Sequence, residues 1–166
     1  CFEGYKTIKT LGSGGYGTTY LVENSAGRQF ALKQQTIIRE EWSPPIEDQL
    51  EMIKNEILIS MEMGKKNIGP KIYNSYTCKE DGFLKINIVM EYMNAGTLKE
   101  WYDKNSFTEY HQKQIEKKIN FAHNAGIFHG DLHLENIFVN VKNGKPEFYL
   151  GDFGLGNNIK GLIDVR

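Results

Sequence analysis

Cysteine is scarce in this chain of 166 residues: Cys1 and Cys78 are the only two. That is too few for the paired spacings of a small secreted scaffold, and it points to a reducing compartment, the cytoplasm or nucleus. An excess of one charge is also missing. With 20 Lys plus Arg against 21 Asp plus Glu, no global field draws the chain to nucleic acid or to an anionic membrane, so any polyanion it holds must be gripped locally. Long apolar runs are lacking too: "INIVMEYM" falls well short of the roughly 18 residues a membrane span needs. No signal-peptide pattern opens the chain, which reads as soluble. Residue 1 is Cys rather than Met, so the expectation is a processed or cropped product. Neither repeats nor low-complexity segments interrupt it. A chain of this length buries roughly 68 to 70% of its unfolded surface and makes one domain or two small lobes.

What is present reads as strands followed by helices. "YKTIKTLG" alternates as a half-buried strand does, "TTYLVE" is rich in Thr, Tyr and Val, and "QFALKQQ" follows the Asn, Ser and Gly of "NSAGR"; together they predict three antiparallel strands. A helix is expected near "SPP", with Ser43 as its cap and Ile46, Leu50, Ile53, Ile57 and Met61 as one apolar stripe facing a sheet. "KIYNSYTC" and "LKINIVMEYM", separated by "KEDG", read as a further hairpin. "NAGTL" is the best internal boundary, dividing 1–93 from 94–166. Beyond it, "YHQKQIEKKINFAHNAG" places Ile115, Ile119 and Ala122 on one helical face and stops at Gly126. "NIFVN", the Asn143-Gly144 turn and "PEFYLGDFG" predict a last pair of short strands.

Three groups of residues carry chemistry. In "LGSGGYGTTY", Gly12, Gly14 and Gly17 fit G-x-G-x-x-G; without Cβ atoms, such a loop lets backbone N–H groups close on phosphate oxygens. A strand follows rather than a helix, which disfavours a dinucleotide-binding turn and leaves a plain glycine-rich hairpin as the bland reading. "FALK" puts Lys33 on the third strand, where a lysine ordinarily faces solvent. A carboxylate on the next helix, Glu56 in "NEILI" ahead of Glu51, pins such an ammonium against phosphates. In "HGDLHLENIFV", Asp131 and Asn136 stand five apart, and "GDFG" adds Asp152. Singly, each is an ordinary turn or cap residue. If the two phrases form neighbouring loops, their oxygens suit Mg²⁺ together with substrate phosphates and leave one carboxylate to orient an attacking hydroxyl. His129 and His133 share a four-residue spacing with helical zinc ligands, but Gly130 between them and the lack of a cysteine partner argue against zinc. The aromatic runs "KEWYD" and "EFYLGDF" read as packing.

In their order, glycine loop, strand lysine, helix glutamate, hinge, catalytic loop and DFG, these residues resemble a protein kinase over essentially the whole chain. The resemblance implies an α+β, two-lobed kinase-like fold, with a five-stranded antiparallel N-lobe carrying one helix and an abbreviated, mainly helical C-lobe. It implies ATP and Mg²⁺ as cofactors. Gly12, Ser13, Gly14, Gly15, Gly17 and Thr19 would cover the nucleotide, and Leu11, Ala31 and Phe138 would sandwich its adenine ring. Lys33 would bridge the α and β phosphates and pair with Glu56. "VMEYMNAGTL" resembles the hinge, with Met90 as gatekeeper and the backbone of Glu91 and Met93 on the adenine edge. Asp131 would orient the acceptor hydroxyl while Asn136 and Asp152 hold Mg²⁺. The implied reaction moves the γ-phosphoryl of ATP to a protein Ser or Thr hydroxyl, with a protein substrate as partner and neither nucleic acid nor membrane.

Departures from the family pattern carry alternatives. Gly130 stands where an Arg usually precedes the catalytic Asp, so the cation that reads a phosphorylated activation loop is lacking. His133 stands where serine/threonine kinases usually have Lys. "HGDLH" is also similar to aminoglycoside and choline phosphotransferases, which makes a small-alcohol phosphotransferase the first alternative. Only twelve positions separate Asp152 from Asp164, without an "APE"-like phrase; the expectation is a very short activation segment or a crop inside it. A non-catalytic, nucleotide-binding decoy that engages another kinase or a kinase substrate is the second alternative.

Overall fold

The computed structural model describes residues 1–14, 17–128, 130, 132–151 and 157–158. They fall into two compact units, one made of Cys1–Lys54 and Ile72–Tyr92, the other of Asn55–Lys71 and the residues from Met93 onward.

The first unit is built on a five-stranded antiparallel sheet. Its strands are β1 (Tyr5–Gly14), β2 (Gly17–Asn24), β3 (Gln29–Thr36), β4 (Ile72–Glu80) and β5 (Phe83–Glu91), in the spatial order β1-β2-β3-β5-β4. Asp81, at φ 54°, turns β4 into β5 beside Gly82. Register then sorts the faces. Val22 lies opposite Phe30, and Leu32 opposite Val89, so these four stack on one side and form a cluster that Phe2, Tyr5, Tyr20 and Tyr76 cover. Because side chains alternate along a strand, Ala31 and Lys33 look to the other side. Between the strands, the buried Gln34 amide donates to Asn87 Oδ1 at 2.9 Å, and Asn87 donates onward to Cys78 Sγ at 3.2 Å. Unmet, each such buried group would cost about 1–3 kcal/mol.

Contrary to the expectation of two unpaired thiols, Cys1 and Cys78 form a disulfide. The N-terminal segment runs back beside β4, where Tyr76 Oη donates to the Cys1 carbonyl at 2.8 Å and the terminal ammonium meets Glu80 at 3.4 Å. A separation of 77 residues hides this pairing from any spacing rule. Glu80 also accepts a hydrogen bond from Lys85 at 3.1 Å, which holds its carboxyl below the usual carboxylate range.

Helix α1 (Ile46–Lys65) starts after Pro44-Pro45, with Glu47 and Asp48 in its positive first turn. Ser43 does not cap it. Its Oγ closes the preceding turn instead, accepting from Glu40 N at 3.0 Å and donating to the Glu40 carbonyl at 2.7 Å. The apolar stripe is also displaced from its expected line: Leu50 and Met61 are exposed, while Glu56 and Met63 are buried. Hydrophobic periodicity could not place a carboxylate on the covered face.

The second unit is mainly helical, with α2 (Leu98–Lys104) and α3 (Glu109–Asn124), followed by β6 (Ile127–Phe128), the hairpin of β7 (Ile137–Lys142) and β8 (Lys145–Leu150), and β9 (Asn157–Asn158), which pairs with β6. The sequence reading missed α2, although "TLKE" carries its signal: Thr97 and Glu100 form a capping box that satisfies two orphan N–H groups. Thr108 and His111 do the same for α3. Ile115 and Ala122 on α3 join Met63, Trp101, Val139, Phe148 and Leu150 in one core. Among the described residues, no helix is long and apolar enough to cross a membrane.

Candidate active site

In the first unit, Lys33 on β3 lies opposite Thr19 on β2 and Ile88 on β5, and Ala31 lies opposite Leu21 and Met90. Directly opposed residues share a face, so Thr19, Ala31, Lys33 and Met90 form one surface, opposite the aromatic cluster. Lys33 is only 7% exposed. The solvent-facing lysine that composition alone favours is therefore not what the fold makes: an ammonium held this far inside requires compensating partners. The other end of this surface is the β1–β2 hairpin, where Gly12 pairs with Thr19, Ser13 with Thr18 and Gly14 with Gly17. Gly12, Gly14 and Gly17 thus lie in the last paired positions of the β1–β2 ladder; Gly15 lies outside the described residues. Register slips between Thr10 and Gly12 and leaves Leu11 at a bulge, a device that re-aims a side chain and sharpens local twist.

Gly17 is the constrained member of the motif. Its φ is 137°, and a Cβ there would overlap the Gln34 carbonyl oxygen. Gly17→Val is expected to destabilise the protein by about 1–3 kcal/mol, from strain plus overlap. The urea midpoint measures it, and a midpoint equal to wild type would show that β2 yields freely at its start.

In the second unit, the chain after Tyr92 lays itself along β7. Ala95 N donates to the Val139 carbonyl at 3.0 Å and Val139 N to the Gly96 carbonyl at 2.9 Å. Asn94 grips the same strand from its side chain, donating to the Val141 carbonyl at 3.0 Å and accepting from Val141 N at 2.8 Å. Met93 is buried at the head of this segment, and half-buried Phe138 bridges Thr97. "NAGTL", which the sequence marks as punctuation at the end of the hinge-like phrase, is therefore the clamp that positions Met93 and Phe138. Nothing local in an Asn-Ala-Gly turn announces that role.

Residues 132–136 lead directly into β7. Asn136 is buried, its N–H donates to the His133 carbonyl at 2.9 Å, and its carbonyl accepts from Gly151 N at 2.9 Å. Ile137 pairs with Leu150 immediately beyond. Asn136 and the residue just ahead of Asp152 are thus hydrogen-bonded neighbours. Asp131, Asp152 and His129 themselves lie outside the described residues. Lys99 tethers the loop to α2 through its N–H to the Leu134 carbonyl at 3.1 Å and an exposed ion pair with Glu135 at 3.3 Å. Exposed His133 accepts from Glu135 N at 3.2 Å, so it shapes the loop's own turn. Gly130 has φ 86°, a conformation that would strain an arginine. Of the two candidate carboxylates on α1, Glu56 is buried and Glu51 is exposed.

Residues 5–164 match the family model for the protein kinase domain. The chain is 32% identical over 161 residues to the probable serine/threonine-protein kinase nek3 of Dictyostelium discoideum. It is 32% identical over 165 residues to NUAK family SNF1-like kinase 1 of Mus musculus, and 26% over 163 residues to the probable serine/threonine-protein kinase zyg-1 of Caenorhabditis elegans. These matches cover 91%, 92% and 93% of this chain, but the chain spans only 13%, 22% and 21% of the respective relatives' own lengths.

Proposed function

This chain belongs to the protein kinase domain family, and from that premise we propose that it transfers the γ-phosphoryl group of ATP to a serine or threonine hydroxyl of a protein. The hydrogen bond from Gly151 N to the Asn136 carbonyl at 2.9 Å is the observation that carries this reading. It makes neighbours of two phrases whose side chains are useful together and unremarkable apart. The probable serine/threonine-protein kinases among its relatives favour a protein hydroxyl over a small alcohol.

The residues fit the nucleotide and its metal. A buried Asn136 amide, one hydrogen bond from the residue that precedes Asp152, offers the hard oxygen donors that Mg²⁺ prefers. When bound by Asn136 and Asp152, that ion supplies neutralising charge at the β- and γ-phosphates. By the family resemblance, Lys33 would hold the α and β phosphates and pair with Glu56, while Gly12, Ser13, Gly14, Gly15 and Gly17 would cover them. Leu11, Ala31 and Phe138 would enclose the adenine ring, and the backbone of Glu91 and Met93 would bond its edge beside Met90. Asp131 orients the acceptor hydroxyl and receives its proton as the acceptor oxygen bonds to phosphorus and ADP leaves. Catalysis of this kind is positioning plus electrostatics, with little covalent work for the protein.

The direct test offers labelled ATP with generic proteins, an aminoglycoside, choline and the chain itself, using Asp131→Ala as control. Label is expected on protein serine or threonine and absent with the control. Label confined to a small alcohol would transfer the reading to the small-molecule phosphotransferases. Mg²⁺-ATP at 100 times its dissociation constant is expected to add about 2.7 kcal/mol of stability, seen as a melting temperature raised by several degrees. Asp152→Asn should remove most of the metal-dependent part; an unchanged shift would take Asp152 out of the metal site.

A further inference from the structure

Within the second unit lies a cavity of about 620 Å³ that none of the phosphoryl-transfer residues line. Five lysines line it: Lys66 and Lys71 from the segment after α1, Lys117 and Lys118 from α3, and Lys142 from the end of β7. Glu147 is its one carboxylate. A chain with net charge −1 does not gather five ammonium groups around one hollow as a by-product of a basic composition.

We propose that this cavity binds a compact, soluble small molecule carrying several phosphate groups. Glu147, which accepts from Tyr149 Oη at 2.6 Å and faces Lys142 at 3.8 Å, is a single carboxylate against five lysines along the lining. Lys66 pairs at 3.3 Å with Glu62, where both side chains are about half exposed, an interaction that solvent and salt keep weak. One cation is positioned in advance, because Lys118 donates to the Phe148 carbonyl and its Nζ lies 4.0 Å from the Tyr149 ring centroid. Lys117 lies exposed at the rim, its Nζ 5.9 Å from the Phe121 ring centroid. Ile68, Phe121 and Tyr149 add apolar wall, and a concave, one-signed site with such walls focuses its field.

Shape and residue type select the ligand. The volume falls in the range of about 300–1,000 Å³ typical of small-molecule sites. Lysine ammonium groups act as mobile point charges, suited to phosphates projecting in several directions from a small scaffold, each carrying about −1.5 to −2 at neutral pH. A recess with cations on three segments meets such a molecule from several sides, whereas an extended strand or a lipid surface calls for cations spread along a face.

Isothermal titration of the whole chain with myo-inositol hexakisphosphate tests the assignment. Saturable one-site binding is expected, weakening as salt screens the charges. The double substitution Lys66→Gln with Lys117→Gln should weaken it at least tenfold. Lys79→Gln, on exposed β4 in the first unit, should leave it unchanged, and so should Lys33→Met, which separates the cavity from the nucleotide site. All the substituted lysines except Lys33 are exposed, so the melting temperatures of those variants should stay within about 2 °C of wild type. Absence of saturable binding, equal weakening by Lys79→Gln, or tighter binding of a phosphopeptide or an RNA oligomer than of the hexakisphosphate would overturn the proposal.

Discussion

Lys33→Met is expected to lower the rate of phosphoryl transfer by about 10²–10³, the usual loss when one preorganised charge is removed from a developing anion. The reasoning starts from the sheet. Lys33 sits mid-strand on β3, between β2 and β5, and is almost completely covered. Methionine keeps the length and the apolar stem while deleting the ammonium, so the covered volume stays filled. The fold should persist by circular dichroism while transfer of label collapses. Arginine should not rescue it, because a planar guanidinium cannot reproduce a compact point charge in a covered site. Retention of more than about a tenth of the wild-type rate, far above the expected loss, would show that Lys33 is a structural lysine and that the phosphates are held elsewhere.

Phe148→Ala carries the largest expected effect on stability. Phe148 on β8 is fully buried; its ring meets Trp101 edge-on at 5.7 Å and packs near Phe107 at 6.3 Å. Removing a buried phenyl ring costs about 3–5 kcal/mol in lost transfer energy and residual cavity, against a total of about 5–15 kcal/mol for a typical domain. The urea midpoint should fall sharply with the slope unchanged. Phe148→Leu, which fills more of the hole, should lose less. β8 runs directly into Gly151, whose N–H bonds Asn136, so a loosened β8 should also weaken Mg²⁺-ATP binding. A variant that loses stability but binds nucleotide as wild type would separate the core from the loop geometry.

Much of this was legible in local sequence. Alternation in "YKTIKTLG", the Thr, Tyr and Val of "TTYLVE" and the turn residues ahead of "QFALKQQ" mark β1, β2 and β3, because strand propensity and turn chemistry are local. Asp81-Gly82 and Asn143-Gly144 mark their turns, since positive φ is readable from residue type: Asp81 stands at 54° and Asn143 at 52°. The capping box of α2 was equally local and was overlooked. Ser43 failed as a cap because its hydroxyl had a nearer use in the Glu40 turn, a competition among neighbours that residue type does not rank.

By itself, then, the sequence determined most element types, the turn positions and the kinase-like motifs, because each motif or element depends on side chains within a few positions of one another. Only the tertiary structure decided the rest: that Lys33 and Glu56 are buried, that Asn94 clamps β7, that Asn136 touches Gly151, that Cys1 meets Cys78, and that lysines between positions 66 and 142 surround one cavity. Those facts join residues tens of positions apart. Register and packing, summed over the whole chain, choose such neighbours, and no short window of sequence contains that sum.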